Sequence, residues 1–96
     1  MQLTGKQRRA LRAQGHHMEP VVIIGQSGVT EGVLGAVSQA LNDHELIKVK
    51  INEGPETRHE AAQRMAEGTG AELVQLLGRT ALLFKKREED SDFDDL

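Results

Sequence analysis

The chain has no cysteine, no tryptophan and no tyrosine, and its 96 residues include only two phenylalanines and two prolines. Without thiols there is no disulfide, no thiolate metal site and no cysteine nucleophile. The same absence fits a reducing compartment, so a cytoplasmic location is the expectation. With Phe84 and Phe93 as the whole aromatic inventory, base stacking on an aromatic platform is not the expected mode of recognition. Apolar runs stop at four residues, as in Val21 to Ile24, far below a membrane span. No apolar stretch of signal-peptide type follows the first residues. Neither a membrane partner nor a cofactor nor a small-molecule substrate is expected.

Charge of one sign is missing locally rather than overall. The formal net charge is −3, from 12 Lys+Arg and 15 Asp+Glu. Residues 88–96 hold six acids and no base, which leaves 12 bases against 9 acids, or +3, in residues 1–87. Within residues 1–15 there are four bases (Lys6, Arg8, Arg9, Arg12) and no acid. The expected organisation is therefore one basic domain over 1–87 and an acidic, disordered tail over 88–96. A chain of this length buries enough surface to fold alone, and a monomer is expected.

The pattern along the chain predicts its elements. Thr4-Gly5-Lys6-Gln7 reads as a capping box opening a helix over 4–14. At about 100° per residue, Arg8, Arg9 and Arg12 share one arc of that helix, opposite Leu3, Ala10 and Leu11. A solvated face normally mixes signs; this one does not, which favours an anionic partner. His16, His17 and Glu19 could suggest a metal, but no third ligand follows at a usual spacing. One of the two histidines is expected to pack or hydrogen-bond at the helix–strand corner instead. Val21–Ile24, apolar at every position, reads as a central strand buried on both faces.

Gly25-Gln26-Ser27-Gly28 then separates that strand from a helix over 30–42 capped by Thr30. Two glycines let a ligand approach the backbone, and the first N–H groups of the helix point at the same spot. The arrangement suits a phosphate of an RNA backbone. An aspartate at Gly28 is expected to abolish binding and leave the fold intact. Gly35 is expected to be a close-packing position. A strand over 45–51 places Ile47, Val49 and Ile51 on one face and Leu46, Lys48 and Lys50 on the other. Asn52-Glu53-Gly54 reads as a loop, Pro55 as the start of a helix over 55–68, and Gly78-Arg79 as a two-residue hairpin between strands 71–77 and 80–86. Lys85, Lys86 and Arg87 form a basic cluster before the acidic segment.

Enzyme signatures are missing. The 25–28 loop lacks the Lys-Ser/Thr of a phosphate-binding P-loop and the middle glycine of the dinucleotide fingerprint. Ser27 has no glycine two residues after it, as a nucleophile elbow needs. His59-Glu60 opens like a zinc-protease helix, but Gln63 stands where the second histidine belongs. No catalytic and no metal site is expected. The alternative to RNA binding is a protein-interaction module docking an acidic partner on the basic helix.

Several blocks in order resemble one family. They are Thr4 to Arg12, His16 with Pro20, Ile24-Gly25-x-x-Gly28-Val29-Thr30-Glu31-Gly32-Val33-Leu34, His44 to Lys50, and Leu77-Gly78-Arg79-Thr80 with Leu82, Leu83 and Phe84. Together they resemble the CRM domain (chloroplast RNA splicing and ribosome maturation), in its stand-alone bacterial YhbY-like form. The resemblance implies a two-layer α-β-α-β-α-β-β fold with a four-stranded mixed sheet, similar to the C-terminal domain of translation initiation factor 3. It also implies binding to ribosomal RNA in precursors of the large subunit, with the Gly-x-x-Gly loop used much as in KH domains. By resemblance, Lys6, Arg9, Arg12, Gly25, Gly28, Lys48 and Lys50 carry RNA contacts. The residue reading adds Arg8, Gln26, Ser27, Thr30, Arg79 and Lys85. Gln26-Ser27 and Glu19 depart from the family, which often has basic residues there, and lower the positive field beside the loop.

Overall fold

A computed structural model describes residues 2–52 and 54–96. The elements run α1 (Gly5–Gly15), β1 (Pro20–Ile24), α2 (Glu31–His44), β2 (Leu46–Ile51), α3 (Arg58–Thr69), β3 (Glu72–Leu77) and β4 (Thr80–Phe84). The four strands form one mixed sheet in the order β1-β2-β4-β3. β1 and β2 are parallel across the α2 crossover, while β4 is antiparallel to both β2 and β3. The expected fold class and element order are present.

Local chemistry sets the helix ends. Thr4 and Gln7 form the capping box of α1, with bonds of 3.1 and 2.9 Å. Thr30 caps α2 by accepting from the Val33 N–H. The helix expected to start at Pro55 starts at Arg58 instead, because Thr57 and Glu60 make a second capping box that outcompetes a proline start. Gly70, at φ +73°, ends α3 in the left-handed region. The hairpin turns at Gly78, φ +59°, as its two-residue connection requires. The loop expected at Asn52-Glu53-Gly54 includes Glu53, which lies outside the described residues.

Side-chain alternation divides the core in two. One face of the sheet buries Ile24, Ile47, Val49, Ile51, Ala81 and Leu83 under α2 and α3. Small residues on α3 let the two helices close up: a Cβ at Gly68 would stand 2.9 Å from Leu34. Gly35, by contrast, faces open space, so close packing falls to Gly68 instead. The other face buries Leu46, Val74, Leu82 and Phe84 under α1, with Leu3 and Leu11. Thus α1 adds a layer opposite the two-layer body.

Two further expectations change. β1 is an edge strand rather than a central one, with Val21 51% and Ile23 61% exposed. Its apolar run is buried on one face only. The acidic segment 88–96 is docked on the body rather than detached from it. Phe93 meets Phe84 edge-on with ring centroids 5.1 Å apart, and Leu96 joins the same cluster. These two apolar side chains inside the acidic stretch give it area to bury.

Candidate nucleic-acid interface

α1 lies across one half of its sheet face, and its two flanks differ. Gln7, Ala10 and Gln14 point to the docked C-terminal segment and line a cleft with Asp92, Phe93 and Leu96. Helical geometry places Arg8, Arg9 and Arg12 on the other flank. That flank is the one beside Gly15, whose Cβ position falls 2.8 Å from Leu82. Leu82 is the β4 side chain nearer the uncovered half of the face, and Phe84, under Phe93, is nearer the tail. The arginine flank therefore borders the uncovered half. Lys6 does not: it lines the cleft on the tail side with Asp95.

The uncovered half is built by strand register. Ile23 pairs with Lys50, Lys50 with Thr80, and Thr80 with Leu77, so one row crosses all four strands. Ile23 and Leu77, at the two ends of the row, are 61% and 69% exposed. Lys48, in the next row, shares this face with Lys50 because their side chains alternate with Val49. Val21 is exposed as well, at a register shift between Pro20 and Val22.

Beyond the row, the far end of the sheet gathers the loops. Gly25, Gln26 and Ser27 are exposed directly after β1. Asn52 N–H donates to Ile24 O at 3.1 Å, and Ile51 N–H donates to Arg79 O at 2.7 Å, which draws the three connections together. Both α2 and α3 begin at this end, so two helix N-termini face it. A cleft of about 320 Å³ between the connections is lined by Asn52, Gly54, Arg58 and Arg79 among others. Arg58 is a cation there that the sequence reading overlooked; its signal was a base in the first turn of a helix, where acids are usual.

The loop is not wholly open. Glu56 places its carboxylate under it and accepts from the Val29 N–H at 3.3 Å to each oxygen, while pairing with Arg64. Gly28, at φ +72°, is buried against this carboxylate, and a Cβ there would collide with Glu56 Oε1 and crowd Pro55. An aspartate at Gly28 would thus disturb the loop itself, contrary to expectation. Gly25 keeps open space at its Cβ position. A ligand on this loop meets the Gly25–Ser27 half, with the Val29 amide already taken.

Some predicted residues are used internally. Arg8 Nη1 donates to Leu73 O at 2.9 Å, at the register shift in β3 that leaves this carbonyl available. Lys85 Nζ donates to Thr69 O at 2.7 Å, completing the end of α3. Lys86 pairs with Asp94, and Arg87 bonds Asn42 O and Asp90 O at 2.8 Å each. His16 and His17 are both exposed, their rings edge-on 5.3 Å apart, so neither packs in the corner. Among the described residues no three His, Cys, Asp or Glu converge as metal ligands.

Glu45, also overlooked, holds the C-terminal segment. Its carboxylate is fully buried and accepts from Arg87 N–H (2.8 Å), Ser91 Oγ (2.5 Å) and Asp92 N–H (2.7 Å), beside the Arg87 guanidinium at 3.4 Å. Burial pushes its pKa up, but the hydroxyl and amide donors and the Arg87 charge outweigh that and hold it below the usual carboxylate value.

Comparison with known proteins places this architecture. The family described as the CRS1 / YhbY (CRM) domain matches residues 3–85. A "probable RNA-binding protein" of Pseudomonas aeruginosa is 40% identical over 87 residues, spanning 90% of this chain and 84% of that protein. Another "probable RNA-binding protein", from Bacillus subtilis, is 34% identical over 93 residues, spanning 96% of this chain and 97% of that protein. The solution structure of a hypothetical protein from Staphylococcus aureus superposes with a TM-score of 0.78 at 33% identity, over 94% of this chain and 95% of that one. The chain belongs to the CRS1 / YhbY (CRM) domain family.

Proposed function

We propose that this protein binds RNA through its phosphate backbone, acting as a cytoplasmic monomer on ribosomal RNA in precursors of the large ribosomal subunit. The observation that carries the RNA reading is one of placement. The arginine flank of α1 and the Gly25–Ser27 half-loop border the same stretch of sheet from opposite sides, with Lys48 and Lys50 between them. Cations and backbone N–H groups on two sides of a floor grip a linear polyanion without reading its bases. The relatives' names support RNA as the polyanion; the ribosomal assignment rests on the resemblance to the YhbY-like form.

Charge reversal of Arg9 and Arg12 tests this. Affinity for purified ribosomal RNA fragments should fall for every sequence alike. The slope of log affinity against log salt should shrink by about one for each phosphate no longer neutralised. Unchanged affinity, or a loss confined to one sequence, contradicts the proposal. Sedimentation of cell extract should place the protein with large-subunit precursors; migration with free protein only would remove the ribosomal part.

A further inference from the structure

The apolar residues of the open face have no role in gripping phosphates. Ile23 and Leu77 are among the three exposed large hydrophobics of the described chain, with Val21 the third, and all three stand on this one face. Edge strands normally carry charges or proline outward to discourage pairing and sticking. Here both edge strands, β1 and β3, turn an aliphatic side chain outward at the same level. Between them sit Lys50 and Thr80, and no acid stands in this row or in its neighbour, Pro20–Lys48–Leu82–Gln75.

We propose that the row Ile23–Lys50–Thr80–Leu77 is a floor that receives unpaired nucleobases. This rests on the RNA reading above and names the part of the nucleic acid that the face takes. Three strand spacings make the row about 14 Å long, enough for more than one splayed base. The aliphatic ends contact base faces, and the central ammonium and hydroxyl reach base edges or the joining phosphate. The two borders proposed above to grip phosphates flank the row, so a strand crossing from one to the other passes directly over it, and the aliphatic ends give its bases apolar surface to cover. Aromatic stacking has no part: Phe84 and Phe93 lie against each other under the tail. A duplex, with its bases paired and stacked inside, cannot use such a floor.

The double variant Ile23→Thr/Leu77→Thr tests the proposal, since threonine keeps strand propensity at exposed positions. Each probe is an RNA of stated form: a single-stranded oligouridylate and a duplex of equal length. The wild type should prefer the single strand, and the variant should lose about tenfold on the single strand and almost nothing on the duplex. Methyl NMR signals of Ile23 and Leu77 in the wild-type protein should shift on adding oligouridylate. Equal affinity of variant and wild type for the single strand, with unmoved methyl signals, overturns the floor and leaves the row to a protein partner. A wild type that binds neither RNA overturns the proposed function itself.

Discussion

Glu56→Gln should weaken the fold and tighten RNA binding at the same time. The carboxylate sits beneath the Gly25–Gly28 loop, 87% shielded from solvent, with the Val29 amide and Arg64 as its partners. The amide side chain keeps an acceptor for Val29 N–H but loses the charge that favours a helix N-terminus and the pair with Arg64. Those effects cost about 0.3–1 kcal/mol for the dipole and up to about 1 for the partly exposed pair. A loss near 1 kcal/mol lowers Tm by about 4–8 °C in a domain of this size. A phosphate held one residue away, at about 6 Å, loses a repulsion of about 0.7 kcal/mol in a water-like dielectric and about 3 at an effective value of 20. Salt screening keeps the figure toward the lower end, so affinity should rise about 3–10-fold in low salt and less at physiological ionic strength. Thermal unfolding and fluorescence anisotropy with a labelled ribosomal RNA fragment measure the two quantities on one sample. A folded variant whose RNA affinity is unchanged or weaker refutes a phosphate on the exposed half of this loop.

Two further predictions concern the two regions flanking α1. Arg8→Ala should lower stability by about 1–2 kcal/mol, because it removes a charge-assisted bond to Leu73 O, while Arg12→Ala should mainly lower RNA affinity; urea unfolding and RNA titration of the pair separate the roles. Glu45 ties stability to acidity: its folded pKa is lowered, so its contribution is present above the ordinary value of 4.5 and is lost as pH falls through the folded value. Unfolding free energies measured from pH 6 down to pH 3 should decline, and Glu45→Gln should flatten that decline while costing stability at pH 6; an unchanged slope in the variant would assign the decline to other carboxylates.

How much was legible in the chain follows the range of each interaction. The caps at Thr4 and Thr30 and the Gly78 turn depend on neighbours within three residues, and all stand where the sequence puts them. The Thr57 capping box was equally local, but proline at 55 masked it. β1 misled because an apolar run says that side chains avoid water in some state, not that the folded monomer covers them. Its bare face is where sequence and structure part most usefully. Glu56 reaches Val29 across 27 residues and Glu45 reaches Asp92 across 47, and no periodicity or spacing encodes such meetings. Lys85 and Arg87 looked available for the same reason: Thr69, which takes the first, and Asn42 and Glu45, which hold the second, are remote in sequence.

Residue 45 carries a backbone usually given to glycine, with φ at +65°. Stabilising a protein by swapping such a residue for glycine is a common engineering step, and relief of a strained dihedral is worth about 1 kcal/mol or more. Here the swap would delete the very group that three donors converge upon, leaving two amides and a hydroxyl in the dark. The backbone gain is smaller than that loss. Substitution at this position is thus boxed in from both sides: the turn asks for no side chain, and the chain's last stretch asks for an acid.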